Sequence, residues 1–430
     1  MVYEKQPKRG KIEAGEAVEM IQSGQRIALS PVCAEPQALI KSLVESKDRL
    51  ENVEIYTMMP MGECPYALPE MEGHFKVKAF SVGPRLMEAV NKGRADYIPC
   101  HLSQIPGLFA NGIIPIDVAL IQLSPPDSHG YCSLGVSISY MREVLNSAKL
   151  VIAEINEQMP RTLGDTFVHL SEVDYIAEYS HPLPAISPPK MAETEKRIAE
   201  FTSELISDNA VIQIGIGNIA AAILEELKQK KNLSVHTGTF SDGVMSLVES
   251  GAIDKKGPGS KSSRIVATEL IGTSKFYEFC HNNPLIEMRS INYTHNIRVM
   301  SQIKGLVSLN SAIEIDLDGQ VNAEMRGEEL VNGVGGQLDF LRGAAASPSG
   351  KAVIAFPSTA RKGKASRIVS RLNRSAVVTV GRADVDFVIT EYGVARLWGK
   401  SLPERARELI AIAHPSFREE LRDDLHKQYR

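Results

Sequence analysis

The sequence predicts an α/β protein of two similar, open, doubly wound domains. Short apolar runs alternate with amphipathic stretches nearly throughout. The runs lack a strict apolar/polar alternation, as strands buried on both faces of a helix-covered sheet do. The two halves also repeat one order of elements. GQRIALSPVCAEPQALIKSL followed by ENVEIYT matches DNAVIQIGIGNIAAAILEEL followed by KNLSVHT, with Thr57 and Thr237 as corresponding ends. Duplication of one unit explains this, although any two βαβ units share that outline.

Strands are predicted at RIALS (26–30), NVEIYTMM (52–59), DVALIQLS (117–124), KLVIAEIN (149–156), AVIQIGIG (210–217), RIVATELIG (264–272), KAVIAF (351–356) and VDFVITEY (385–392). Helices are expected at 36–46, 191–207, 218–231, 401–413 and 415–428. The class is α/β with mostly parallel sheets. HPLPAISPPK (181–190) carries four prolines and no helical period. It reads as a linker and divides the chain into 1–185 and 186–430.

Composition narrows the function classes. The chain has 430 residues, 43% hydrophobic and 23% charged, which suits more than one globular core. A net charge of −4 offers no footprint for nucleic acid or an anionic membrane. The apolar runs are too short to span a bilayer. The polar start MVYEKQPKRGK has no apolar core of a secretory signal. The five cysteines, at 33, 64, 100, 132 and 280, form no CxxC pair and fit reduced thiols in a cytoplasmic protein. No HExxH or EF-hand pattern occurs, so no metal is expected.

Several segments could carry chemistry. Gly215-Ile216-Gly217-Asn218-Ile219 follows a strong strand and opens a helix, so its amides could hold a phosphate or pantetheine group, or simply form a tight turn. A dinucleotide site would need an acid at the end of the next strand, and LSVHT ends at His236 and Thr237. Gly333-Val334-Gly335-Gly336 could turn successive N–H groups toward one oxyanion, or serve as a loose connection before a helix. HTGTFSDG (236–243) lies beyond a strand end, where open sheets bind ligands, while Ser241 or Asp242 could cap the following helix. In SPPDSHGYCSLG (124–135), Asp127, His129 and Cys132 suggest a nucleophile, but the spacing is that of turn chemistry. The basic loop PSTARKGKASR (357–367) could hold phosphates or be solvated.

These segments occur together in an order that resembles the acetyl-CoA hydrolase/transferase family of class I CoA-transferases, nearest to its 4-hydroxybutyrate and butyryl-CoA:acetate transferases. The resemblance runs through SPPDSHGYCSLGVS, AEINEQMPRTLGDTFVHLSEVDYI, IQIGIGNI, SDGVMSLVESGAI, NNPLIEM, VSLNSAIEIDLDGQV, NGVGGQLDFLRGA and DFVITEYGVARLWGKSLPERARELIAIAHPSFREEL. It implies a homo-oligomer, such as a homodimer, that exchanges CoA between short-chain carboxylic acids by a ping-pong route. No permanently bound cofactor is implied; CoA and acyl-CoA are substrates. It places Gly215, Ile216, Gly217, Asn218 and Ile219 on CoA, and Ser311, Ala312 and Ile313 near its tail. Gly333, Val334, Gly335 and Gly336 become a mobile loop over the thioester.

One departure follows from the same comparison. The nucleophilic glutamate of these transferases lies in His-Ser/Thr-Glu-Met-x-Ser-Asp-Gly, and this chain reads His236-Thr237-Gly238-Thr239-Phe240-Ser241-Asp242-Gly243. Glycine can form neither an anhydride nor a thioester. Glu249 lies two turns further along. Three expectations stand: a transferase using another carboxylate, with Asp242 and Glu63 as candidates, or binding both substrates at once; an acyl-CoA hydrolase, with water in the vacated space and Asp242 or His236 as base; or an acyl-CoA-binding protein without catalysis.

Overall fold

The computed structural model describes residues 7–187, 191–254 and 264–428. The chain forms two compact units. The first comprises Met1–Ile186, Val266–Thr294 and Leu330–Gly335; the second comprises Ser187–Ile265, His295–Glu329 and Gly336–Arg430.

The first unit is built on an eight-stranded parallel sheet. Its strands are β1 (Gly10–Lys11), β2 (Arg26–Leu29), β3 (Val53–Thr57), β4 (Phe75–Ala79), β5 (Ala95–Tyr97), β6 (Val118–Leu123), β7 (Leu150–Ile155) and β8 (Tyr175–Glu178), in the order β1-β8-β7-β6-β2-β3-β4-β5. Ile27 stands opposite Ile55 on one side and Val118 on the other. All six residues of β6 are buried, which is why its run shows no alternation. Leu39, Ile40 and Leu43 of helix α1 (Gln37–Glu45) complete a core with Ile27, Ile55 and Val77. Each such side chain contributes about 1.5–3 kcal/mol when fully withdrawn from water.

The second unit repeats the winding. Strands β9 (Val211–Ile214), β10 (Ser234–His236), β11 (Leu306–Asn310), β12 (Lys351–Ala355), β13 (Phe387–Thr390) and β14 (Gly393–Arg396) run in the order β10-β9-β11-β12-β13-β14. Pairing is parallel from β10 to β13, and β14 returns antiparallel. The series β3-β2-β6-β7-β8 of the first unit thus corresponds to β10-β9-β11-β12-β13 of the second. Ala352 and Ile354 join one core cluster while Val353 and Ala355 are equally buried on the opposite face. Both faces of the sheet are therefore covered, as doubly wound folds require.

Helices α2 (Glu193–Glu204), α3 (Asn218–Glu226), α4 (Asp242–Ser250), α5 (Gln337–Ala346), α6 (Leu402–Ile412) and α7 (Arg418–Gln428) complete this unit. The expected helices are present with shorter ends, and the predicted 264–272 strand is broken at Thr268 into Ile265–Ala267 and Glu269–Leu270. Of the proline-rich segment, 181–187 has no regular structure and 188–190 lie outside the described residues. Its first part is tied to the first unit, where the Tyr277 hydroxyl donates to the Pro184 carbonyl at 2.7 Å. None of the five cysteines is in a disulfide. Among the described residues no helix is long and apolar enough to cross a membrane, and no cluster of His, Cys, Asp or Glu could hold a metal ion.

Candidate functional site

In the second unit β9 ends at Ile214, and the chain must turn at once into α3. Gly217 does this with φ +108° and ψ −178°, a conformation that side chains resist. It occupies the helix N-cap without any side-chain cap, and its carbonyl accepts the Ala221 N–H at 3.0 Å. The first-turn amides of Asn218, Ile219 and Ala220 are the donors an α-helix leaves open for an anion. They border a cavity of about 360 Å³ also lined by Asn310 at the end of β11 and Ser311 just beyond it, and by Pro357 and Arg367 beyond β12.

Arg367 is half-buried. Burial lowers its pKa first, and the nearby Arg326 adds to the effect. One Nη reaches the Ala312 carbonyl at 3.4 Å, while its buried Nε has no partner. A cation with an unfilled donor at this cavity, which Glu195 and several aliphatic side chains also line, favours an anionic ligand. The basic loop is held in place where the Ser358 amide and hydroxyl donate to Glu391 at 2.8 and 2.6 Å. Ser311 lines the cavity, and its carbonyl accepts from Gln337 Nε2 at 3.0 Å. Ile313 is two residues further on, with its N–H on the Asn322 carbonyl at 2.9 Å.

Gly238 lies between β10 and the short strand Thr239–Phe240. A Cβ built there would stand 3.1 Å from Cε1 and Nε2 of His295 and 3.6 Å from Phe340. The His295 ring is buried and packs on Phe340 at 4.6 Å. Burial, reinforced by His236, pushes its pKa down to about 3, so it is neutral at physiological pH. The His295 imidazole is thus the nearest neighbour of the position that a Cβ at 238 would take. His236 is itself buried and sits edge-on to Phe340 at 6.5 Å. Asp242 is the half-buried first residue of α4, where its charge suits the helix N-terminus. Ser241 occupies the N-cap, but its side chain makes no capping hydrogen bond, contrary to the capping expectation. Glu249 is exposed at the far end of α4.

In the first unit the glycine loop lies beyond the carboxyl ends of β4 and β5, the ligand edge of an open sheet. A Cβ on Gly333 would stand 3.0 Å from Ser81 Cα and 3.1 Å from the Tyr97 ring, so a side chain there would push these neighbours aside by a few tenths of an ångström. The Val334 N–H donates to the Tyr97 hydroxyl at 2.8 Å, and the Gly335 carbonyl accepts the Leu102 N–H at 3.1 Å. Gly335 has φ +62°. Gly336 begins the second unit's portion and is the N-cap of α5. Glu63 is exposed on the segment after β3.

The cysteine segment carries no nucleophile. Asp127 closes the turn, accepting N–H groups of His129 and Tyr131 at 2.9 Å each, and pairs with Arg161 at 2.7 Å. Burial pushes the Cys132 thiol up to about 12.

Sequence reading missed three buried groups: Glu35, Glu269 and His295. Glu35 follows β2, with one oxygen on the Tyr66 hydroxyl at 2.7 Å, and burial raises its pKa to about 8. Glu269 is likewise pushed up to about 8 by burial. A signal was present for Glu269, since an acid interrupts the otherwise apolar run RIVATELIG.

Comparison with known proteins accords with this arrangement. The acetyl-CoA hydrolase/transferase N-terminal domain matches residues 1–187, and the C-terminal domain of the same description matches 272–425. A 4-hydroxybutyrate coenzyme A transferase of Clostridium kluyveri is 48% identical over 100% of both chains. A butyryl-CoA:acetate CoA-transferase of Anaerostipes caccae is 34% identical over 96% of this chain and 95% of its own. Among solved structures, a 4-hydroxybutyrate CoA-transferase from Porphyromonas gingivalis superposes with a TM-score of 0.84 at 36% identity, covering 97% of each chain.

Proposed function

The chain belongs to the acetyl-CoA hydrolase/transferase family and is an enzyme of the CoA-transferase type, and on that premise we propose that it moves CoA between short-chain carboxylic acids, 4-hydroxybutyrate or butyrate on one side and acetate on the other. The observation that carries this reading is end-to-end identity of 48% with a relative described as a 4-hydroxybutyrate coenzyme A transferase. The cavity at the α3 N-terminus supports it, because a pantetheine phosphate needs donors and a cation, and the helix amides and Arg367 supply both.

In this reading Gly215, Ile216, Gly217, Asn218 and Ile219 hold CoA through the backbone, with Ile313 near its tail. Gly333, Val334, Gly335 and Gly336 supply amides for the oxyanion that forms when the thioester carbonyl is attacked. The protein would work as a homodimer in the cytoplasm, on acyl-CoA and carboxylate substrates alone, with no resident cofactor, metal or nucleic acid. Transfer rather than hydrolysis is favoured by the relatives of 48% and 34% identity, both described as CoA-transferases.

The test is direct. Incubation with butyryl-CoA or 4-hydroxybutyryl-CoA and labelled acetate should give labelled acetyl-CoA, with little free thiol. Thiol release without labelled acetyl-CoA would replace this reading with hydrolysis.

A further inference from the structure

We propose that His181 is a pH-operated latch, whose protonated ring pins the start of the proline-rich connector to the first unit. The inference stands on that unit alone and goes beyond the transfer reading without depending on it. Glu154, in strand β7, is fully buried, and both of its carboxylate oxygens are engaged. One accepts the Ala38 and Leu39 N–H groups in the first turn of α1, at 2.7 and 3.2 Å. The other accepts from His181 Nε2 at 2.9 Å. Across the ring, Nδ1 stands 3.0 Å from the Pro182 carbonyl oxygen. A carboxylate and a carbonyl can only accept. A neutral imidazole has one N–H and serves one of them, whereas the imidazolium has two and serves both. The geometry therefore calls for the charged ring.

The connector depends on such ties, because Pro182 and Pro184 bring no N–H of their own. The Asn156 side chain grips the His181 backbone, accepting its N–H at 3.2 Å and donating to its carbonyl at 2.9 Å. Asn156 is oriented by Gln122 Oε1 at 2.9 Å, and Gln122 donates to the Glu35 carbonyl at 2.6 Å. Further along, the Pro184 carbonyl takes the Tyr277 hydroxyl, and the Ile186 N–H reaches the Gly272 carbonyl at 3.1 Å. Leu183 is buried. Beside it, Pro182 and Leu183 form one wall of a cavity of about 280 Å³ that Glu157, Glu278 and His281 also line. The connector thus lies partly over open space, and its first anchor is the pair of bonds that the His181 ring makes.

The titratable groups around the ring are few. Glu154 bonds it from β7, and the Tyr179 ring, just beyond β8, stands 5.4 Å away. Glu35 is linked to it through Gln122 and Asn156, and Glu157, Glu278 and His281 lie around the cavity. Burial works against charge on His181, but the bond and charge of Glu154, with the Pro182 carbonyl, outweigh it and raise its pKa above the ordinary 6.5. The latch is therefore closed at mildly acidic pH. As pH rises through the raised pKa, the ring loses one N–H. The remaining one stays on the buried carboxylate, where an unmet charge costs more, and the Pro182 carbonyl is released.

The experiment is hydrogen–deuterium exchange of the full chain, read in peptides covering 181–186 from about pH 6 to 9 and corrected for the intrinsic pH dependence of exchange. Protection should fall by about tenfold across the titration, as loss of one charge-assisted bond implies, while peptides of β6 and β7 keep theirs. His181→Gln has no charge to lose and should show the lower protection at every pH. In the unsubstituted chain, nitrogen NMR should find both ring nitrogens protonated at the acid end and a midpoint above 6.5. Constant protection in the unsubstituted chain, or the same pH dependence in a folded His181→Gln, overturns the latch. So does a His181 ring that titrates at or below 6.5, a result that needs no variant to fold.

Discussion

The two units share one strand order, yet their buried titratable groups are opposite in kind. The first holds two carboxyls, Glu35 and Glu269, that burial pushes up to about 8. The second holds an imidazole, His295, that burial pushes down to about 3. Both outcomes are neutral near pH 7, because a low-dielectric interior disfavours whichever form is charged. Repetition of a winding therefore does not repeat its chemistry. One copy keeps proton-bearing acids, while the other pairs a phosphate-sized cavity with a histidine wedged beside Gly238.

The largest expected effect is on stability against pH. Between about 4.5 and 8 the folded chain keeps protons on Glu35 and Glu269 that the unfolded chain has released. Stability should fall as pH rises through that window, by up to about 1.4 kcal/mol per unit for each carboxyl. His295 acts in the other direction. Below about 6.5 the unfolded chain gains a proton that the folded chain refuses until about 3, so this contribution fades as pH falls. Above 6.5 the His295 contribution is constant, while His181, whose pKa burial lowers but the bond and charge of Glu154 raise by more, adds a loss of the same sign as the carboxyls. Urea denaturation at several pH values should show the combined slope, and the double substitution Glu35→Gln with Glu269→Gln should remove the carboxyl share of it.

Substitution at the site of contrast comes next. Gly238→Glu puts a Cβ 3.1 Å from the His295 ring, and should cost about 1–3 kcal/mol by overpacking. Adding His295→Ala should recover part of that loss. Full stability in the single variant would show that the wedge yields easily. At Gly217, where φ is +108°, Gly217→Val should destabilise by about 1–3 kcal/mol through backbone strain and raise KM for acyl-CoA, measurable by thermal melts and steady-state kinetics. The smallest effect on stability is expected for Arg367→Ala. Loss of one charge-assisted contact should weaken acyl-CoA binding by about 1.5–3 kcal/mol at nearly unchanged stability. An unaltered KM would remove Arg367 from the CoA site.

Much of this molecule follows from local pattern alone. The runs at 26–30, 117–124, 149–156 and 351–356 appear as strands because unbroken short apolar sequence suits a sheet covered on both faces. Gly217 before α3 was legible because a strand that must turn straight into a helix needs a residue free to take positive φ. Other elements were hidden. β4, FKVKA, carries lysines that look like a surface, yet Lys78 is half-buried and held by Asp96 at 2.6 Å. Strand β11 was not anticipated because GLVSLN places serine and asparagine where Gln213 of the neighbouring strand bonds them.

What only the tertiary structure decided are the meetings of residues far apart in the chain: His295 against Gly238, Glu269 beside Ser137, and Gly333 on Ser81 and Tyr97. Apolar periodicity specifies which residues leave water, since it depends on the next few positions. It does not specify which buried polar groups come to lie together, and here those meetings set the proton affinities on which the chemistry depends.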